Sequence, residues 1–465
     1  METSGFHEEC GLFGIYGQGD IAEMIYFGLY ALQHRGQEGA GMVVHNGRRT
    51  RVHRGLGLVS DIFPESVRAH LDGHMGIGHN RYATTGKATK LRNVQPILVD
   101  YKAGKLAIAH NGNLVNVVEL RRQMEREGSI FQTSTDSEVV LHLIARSRAE
   151  TLPERVLDAV DQVEGALSCL IMNERMIIGY RDPLGFRPLS LGYLDGAYIL
   201  ASESCAFDIL GAQAVRDVTP GEMIVLDGHG VQSRMHRAGE KHAYCVFEQI
   251  YFSRPDSTVF GESVNAVRRQ LGRILARRHP VEADIVMSIP DSSNSAALGF
   301  AAETGLPYEL ALIRNHYVGR TFIRPGQRSR VDAVRVKFNP VEEIIRGKRL
   351  IVVDDSIVRG TTSRQLVRLL FRAGAREVHF RVASPPIINP CHYGIDTPRK
   401  VDLIGSRMEI EQIQSFLGAT TLGYLSIEDL RAAVSAPHSY CYACFGGVYP
   451  TRVPSEADPL VFDVD

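Results

Sequence analysis

The chain has 465 residues, a length that corresponds to about two or three domains, and 52 Lys and Arg against 53 Asp and Glu leave a formal net charge of -1. That balance argues against a general nucleic-acid or membrane-surface binder, while 44% hydrophobic and 23% charged residues exclude wholesale disorder, and 44 Gly with 20 Pro exclude a collagen-like or low-complexity chain. No apolar run reaches the roughly 18 residues that would span a bilayer, residues 1–9 lack a secretory signal's basic and apolar regions, and seven cysteines are too few for a disulfide scaffold; a cytoplasmic, reducing setting is expected.

From the N-terminus, strands are expected at residues 12–16, 42–45, 76–79, 106–110, 166–172, 175–180, 198–201 and 223–226, with helices at 21–33, 117–126 and 137–148. Many strands with few helices predict an α+β domain of sheets layered with helices. Residues 227–241 are polar and rich in Gly, His and Arg, without a period, and form the candidate boundary. Beyond them the pattern alternates: helix 264–278, strand 285–289, helix 295–304, strand 310–313, strand 349–353, helix 363–373 and strand 378–383. This spacing predicts an α/β domain with a mainly parallel sheet and crossover helices. Between Tyr317 and Asn339 lies a long Arg- and Gly-rich stretch without a period; such a loop in a compact domain is usually functional.

The sharpest motif is Leu350-Ile-Val-Val-Asp-Asp-Ser-Ile-Val-Arg-Gly-Thr-Thr362. An apolar strand ends in Asp354 and Asp355, and a short loop leads through Gly360, Thr361 and Thr362 into a helix. Backbone N–H groups and hydroxyls at a helix start hold an anion, and acids at a strand end take ribose hydroxyls directly or through Mg2+. Ordinary helix capping needs fewer polar groups than this. The segment resembles the phosphoribosylpyrophosphate (PRPP) motif of type I phosphoribosyltransferases. The resemblance implies that Asp354 and Asp355 serve ribose and Mg2+, with Ser292 in Ile289-Pro-Asp-Ser-Ser-Asn-Ser-Ala-Ala297 as a further metal contact. It implies that Ser356, Arg359, Gly360, Thr361 and Thr362 hold the 5-phosphate. It also implies that the long loop is a lid, whose Arg320, Arg335 and Lys337 offset charge on departing pyrophosphate. Ser293 departs from the glycine common in this group.

In the first half, Cys10-Gly-Leu-Phe-Gly-Ile-Tyr-Gly17 opens an apolar strand. A lone cysteine there would ordinarily be a core residue. However, Gln33-His-Arg-Gly-Gln-Glu-Gly-Ala-Gly-Met42, Gly78-His-Asn-Arg-Tyr-Ala-Thr-Thr-Gly86, Ala109-His-Asn-Gly-Asn-Leu-Val115 and Ser134-Thr-Asp-Ser-Glu138 follow it in order. Together they resemble the class II glutamine amidotransferases, of the N-terminal-nucleophile (Ntn) hydrolase fold, a layered αββα architecture. The resemblance implies that residues 1–9 are a propeptide and that the exposed Cys10 is the nucleophile, with its own α-amine as base. Asn111 and Gly112 would form the oxyanion hole, Arg81 would bind the glutamine carboxylate, and Asp136 its amine.

Tyr440-Cys-Tyr-Ala-Cys-Phe445 is a C-x-x-C pair, and by spacing alone zinc, iron–sulfur or redox chemistry all remain open. The two halves together resemble the glutamine PRPP amidotransferases, and Cys245, Cys391, Cys441 and Cys444 match that family's cluster-bearing branch. A structural 4Fe–4S cluster on these four is therefore implied. Zinc, with His392 and His438 as nearby ligands, is the alternative. Cys169 and Cys205 read as ordinary apolar residues in or near strands. The expected division is a propeptide at 1–9, an Ntn amidotransferase domain at 10–235 and a phosphoribosyltransferase domain with the cluster segment at 236–465. The family implies transfer of glutamine nitrogen to PRPP at the first committed step of purine synthesis, a homotetramer, and purine nucleotides as feedback inhibitors. Two other readings share parts of this pattern. Another class II amidotransferase would share the first half, and a non-catalytic PRPP-sensing regulator would share the cradle.

Overall fold

The computed structural model describes residues 10–82, 90–237, 239, 241–315, 337–397 and 399–453. The first half is built on two antiparallel sheets, one of seven strands and one of six. Strand Gly11–Tyr16 lies inside the first sheet, between Ala197–Ala201 and Met75–Arg81. Leu12 points into the apolar layer between the sheets, with Ile77, Ala109 and Leu170. Phe13 and Ile15 point the other way, under helix Ile21–Ala31 and its Ile25 and Leu29. Both faces of the strand are covered, which is why its sequence is a continuous apolar run rather than an alternating one.

The second sheet pairs strand Gly104–Leu114 with Gly165–Met172. Helices Val117–Arg126, Ser137–Arg146 and Leu152–Val160 cover its outer face, where Val140, Ile144 and Val156 meet Leu106, Ile108 and Leu167. The layers therefore run helix, sheet, sheet, helix, as expected of an Ntn hydrolase. The polar stretch 227–241 is not all linker. It contains strand Gly230–Met235, which pairs with Glu222–Asp227 at the sheet edge. Most of that edge strand is exposed, so it carries no apolar signal to read.

The second half is a parallel sheet in the order Ile285–Ser288, Arg349–Asp354, Glu377–Val382, Thr421–Tyr424. Helices Val264–Arg278 and Asn294–Thr304 bury one face through Leu271, Ala297 and Phe300. Helices Thr361–Arg372 and Ile410–Leu417 bury the other through Leu366, Leu370 and Ile413. Residues 310–313 do not supply a strand of this sheet. Leu312–Arg314 instead pairs antiparallel with Phe338–Pro340 in a separate two-stranded ladder. A further short parallel pairing, Tyr244–Cys245 with Tyr440–Cys441, ties the C-terminal segment to the start of the second half.

Candidate active sites

Three groupings emerge from this scaffold. In the first, the antiparallel register that sets Gly11 opposite Asn80 brings Arg81 to the start of the nucleophile strand. Cys10, Arg81, Gly112 and Asp136 line one pocket, joined by Gln95 and His110. The buried Cys10 thiol donates to the Tyr82 carbonyl at 3.4 Å. Burial pushes its pKa up to about 11, with the Arg81 charge pulling the other way, so at neutral pH the group is a thiol that needs a base.

Asp136 stands just before helix Ser137–Arg146, where a capping role would be ordinary, yet its side chain makes no cap hydrogen bond. It accepts instead from the Leu114 N–H at 3.1 Å and from the Ser137 hydroxyl at 3.3 Å. It faces His110 Nδ1 at 3.6 Å. Burial works to raise its pKa, but the His110 charge and these donors outweigh it and hold the carboxylate below its usual range. His110 is raised in turn, Asp136 overriding the effect of burial.

Asn111 is 1% exposed, and its Nδ2 has no hydrogen-bond partner among the described residues. A buried unsatisfied donor costs about 1–3 kcal/mol, and an oxygen developing negative charge is the partner such a donor suits. Gly112 beside it has φ +139, and a Cβ there would stand 2.1 Å from the Ala166 carbonyl, so no other residue fits.

His110, Gln95 and Arg35 are site residues that the sequence reading missed. His110 lay inside a quoted motif, but its partner Asp136 is 26 positions away and meets it only in the fold. Gln95 accepts from the His110 N–H at 2.8 Å. Arg35 donates through Nε to the Cys10 carbonyl at 3.2 Å, and its guanidinium also binds Glu203 at 2.5 Å and Glu248 at 2.7 Å. Residues 1–9, the expected propeptide, lie outside the described residues.

In the second grouping, strand Arg349–Asp354 delivers Asp354 and Asp355 to the C-terminal end of the parallel sheet, where ligands of such sheets bind. Ser292 donates to Asp355 at 2.5 Å, Ser356 to the same carboxylate at 2.6 Å, and Ser293 to Asp354 at 3.3 Å. Ser293, the departure from the family's glycine, thus has a role of its own. Burial and the neighbouring Asp355 raise Asp354 well above the carboxylate range, and burial raises Asp355 too. Two buried acids side by side suit a site completed by a cation or by sugar hydroxyls, so the donor set fits Mg2+ with PRPP. Gly360 takes a left-handed conformation, φ +74, and Thr361 and Thr362 open helix Thr361–Arg372. Arg359 is near enough to Asp396 to lower that acid's pKa, which burial otherwise raises. Lys337 is exposed, and its charge favours the ionised Asp354. Arg320 and Arg335 lie outside the described residues.

In the third, Cys245, Cys391, Cys441 and Cys444 line one cavity, walled by Phe186, Phe247 and other apolar groups. Burial raises the Cys245 thiol to about 11 and Cys441 to about 12, and Cys444 well above the ordinary value. Neither His392 nor His438 lines this cavity. Among the described residues, no three His, Cys, Asp or Glu side chains converge as ligands of a single ion. Cys169 and Cys205 are buried, as expected of apolar strand or near-strand residues.

A profile of the glutamine amidotransferase domain matches residues 79–208. The amidophosphoribosyltransferase of Bacillus subtilis is 48% identical over 458 residues, covering 97% of this chain and 96% of that one. Chloroplastic amidophosphoribosyltransferase 3 of Arabidopsis thaliana is 49% identical over 460 residues, with 98% and 86% covered. The solved structure of glutamine PRPP amidotransferase from B. subtilis, complexed with ADP and GMP, superposes with a TM-score of 0.92 at 47% identity, over 97% of this chain and 99% of that one. Identity of this order along nearly the whole length spans both halves and both candidate sites, and the chain belongs to the amidophosphoribosyltransferase family.

Proposed function

We propose that this chain converts glutamine, PRPP and water into 5-phospho-β-D-ribosylamine, glutamate and pyrophosphate, the first committed step of purine synthesis. The observation that carries the assignment is a glutaminase pocket and a phosphoribosyl cradle in one chain that matches the family end to end. The other class II amidotransferases use different acceptor domains, and the second half matches this family instead.

In the first site the α-amine of a mature Cys10 takes the thiol proton, and sulfur attacks the glutamine amide carbon. The developing oxyanion accepts from Asn111 Nδ2 and the Gly112 N–H. Collapse expels ammonia, carrying the proton back from the amine, and water then hydrolyses the thioester to glutamate. Arg81 grips the substrate carboxylate and Asp136 its ammonium group. The amine is free only once residues 1–9 are removed, so processing precedes activity in this reading.

In the second site ammonia attacks C1 of PRPP as pyrophosphate departs. Asp354 and Asp355 orient the ribose, and residues 356–362, with Arg359 among them, cradle the 5-phosphate. Lys337, with Arg320 and Arg335, offsets charge on the leaving group. Asp354, Asp355 and Ser292 would hold Mg2+, which neutralises the pyrophosphate when bound.

Cys245, Cys391, Cys441 and Cys444 would hold a structural 4Fe–4S cluster. The one cavity that the four cysteines share, with mostly apolar walls and Arg187 beside them, supports that group. The proposed domain limits are 10–235 and 236–465, the assembly a homotetramer, the setting the cytoplasm and the feedback inhibitors purine nucleotides; the relative that carries ADP and GMP supports the last. No helix among the described residues is long and apolar enough to cross a membrane.

Pyrophosphate release tests the reading. It is expected to depend on PRPP together with glutamine or ammonia, and Cys10→Ala is expected to abolish the glutamine-driven reaction alone. Protein that binds PRPP without ever releasing pyrophosphate would instead be a PRPP sensor.

A further inference from the structure

Residues 383–394 run from one site to the other. The segment leaves strand Glu377–Val382 where the Ala383 N–H donates to the Asp354 carbonyl at 2.8 Å. It ends against strand Gly104–Leu114, which carries Asn111 and Gly112. Its far end is anchored three times to the first half. Asn113 Nδ2 donates to the His392 carbonyl at 3.0 Å. Arg187 donates to the Tyr393 carbonyl through Nε at 3.0 Å and Nη2 at 2.7 Å. The Tyr393 ring stacks on Phe186 with centroids 4.1 Å apart.

These anchors press the next residue onto the oxyanion side of the glutaminase pocket. Gly394 has φ +109, and a Cβ on it would lie 2.9 Å from the Gly112 carbonyl carbon and 3.0 Å from the Gly112 Cα. Gly112 also meets the Ala166 carbonyl, which would stand 2.1 Å from a Cβ on Gly112. The Gly112 backbone is therefore packed closely against both strand Gly165–Met172 of its own sheet and a backbone from the second half. An oxyanion donor works only if its N–H is already aimed at the charge before that charge develops.

We propose that Gly394 is a positioning residue for glutamine hydrolysis: by close backbone packing it fixes the direction of the Gly112 N–H. The inference rests on the assignment of Asn111 and Gly112 as the oxyanion donors. It goes beyond that assignment in placing a determinant of glutaminase rate in the phosphoribosyl half of the chain. Gly394 does not line the glutaminase pocket, so its effect is expected on transition-state stabilisation rather than on glutamine affinity.

The test compares full-length Gly394→Ala with wild type in glutamine-driven and ammonia-driven synthesis. The expected result is a glutamine-driven kcat lower by tenfold or more, approaching the roughly 10²–10³ lost when an oxyanion donor is removed. The KM for glutamine and the ammonia-driven rate should stay within about twofold. Gly418→Ala is the control for backbone strain alone, since Gly418 has φ +74 with nothing within 4 Å of its Cβ position, and it is expected to behave as wild type. If Gly394→Ala does not fold, Asn113→Ala frees the same segment by removing the His392 anchor, and the same selective fall in kcat is expected. A rise in glutamine KM at unchanged kcat, or equal losses with glutamine and ammonia, overturns the proposal. Asn111→Ala separates the two levels. If it leaves glutamine use intact, the oxyanion assignment fails; if it impairs glutamine use while Gly394→Ala does not, only the positioning role fails.

Discussion

Cys10 concentrates the chemical problem of the first site in one atom. Burial pushes its thiol pKa up to about 11, and among the described residues its thiol donates to the Tyr82 carbonyl rather than to a histidine. His110 lies in the same pocket, but Asp136, Ser137 and the Ala166 carbonyl occupy its ring nitrogens. In the proposed mechanism the α-amine of a mature Cys10 is the base, and its ordinary pKa is about 8. A base must be unprotonated to accept the thiol proton, so glutaminase kcat/KM is expected to rise tenfold per pH unit below about 8 and then level off. Initial rates of glutamine hydrolysis between pH 6 and 9 check this; a rate that is already flat between pH 6 and 8 would rule the α-amine out as the base. At this scale the residues that the fold gathers into one pocket, Cys10, Arg81, Gly112 and Asp136, were legible from motifs in the sequence. His110 was not, because a histidine on an apolar strand gains its meaning only from the carboxylate the fold sets beside it.

At the scale of elements, periodicity recovered what is buried and lost what is edge or ladder. Helix 264–278 was legible to the residue because one face is apolar throughout, with Val267, Leu271 and Leu275 buried. Strand Gly230–Met235 was lost because it is a mostly exposed edge strand without an apolar face, and the Leu312–Arg314 ladder was misplaced because it is partly exposed and its partner Phe338–Pro340 is distant in sequence. The contact between helices Val264–Arg278 and Asn294–Thr304 was equally hidden, because it depends on atoms that are absent. A Cβ on Gly299 would stand 2.0 Å from the Arg269 carbonyl, and one on Gly272 would stand 1.9 Å from the Ala296 carbonyl. Neither residue has a positive φ in this structure, so their glycine identity reflects backbone approach rather than conformation. Gly299→Ala would ordinarily help a helix by about 1 kcal/mol. Here it must separate two helices that lie under the phosphoribosyl sheet, at the 1–3 kcal/mol or so typical of overpacking. A net loss of stability is expected in urea unfolding, and a stabilised Gly299→Ala protein would show that the helices are free to move apart.

At the scale of the whole molecule, the halves are joined by a buried ionic cluster. Glu203, fully buried, accepts from His34 at 2.7 Å and Arg35 at 2.5 Å in the first half. Its other oxygen accepts from the Arg254 N–H at 2.9 Å and the Ser257 hydroxyl at 2.7 Å in the second. Arg35 continues the cluster to Glu248, and through its Nε to the carbonyl of Cys10. Charges this deep persist only where every lone pair is met. Burial would raise the Glu203 carboxyl, but the His34 and Arg35 charges and donors prevail and hold it far below the carboxylate range. A group depressed in the folded state contributes stability that is complete above its unfolded value of about 4.5 and is lost as pH falls below that value. Glu203→Gln is therefore expected to cost about 3 kcal/mol between pH 6 and 8, the lower end for breaking a buried pair. The gap from wild type should narrow progressively below pH 4.5, because wild type loses by protonation what the variant has already lost by substitution. Urea unfolding of both proteins at pH 7, 5 and 4 measures that gap. A difference as large at pH 4 as at pH 7 would mean that the Glu203 charge does not hold the halves together, and that shape and neutral hydrogen bonds do.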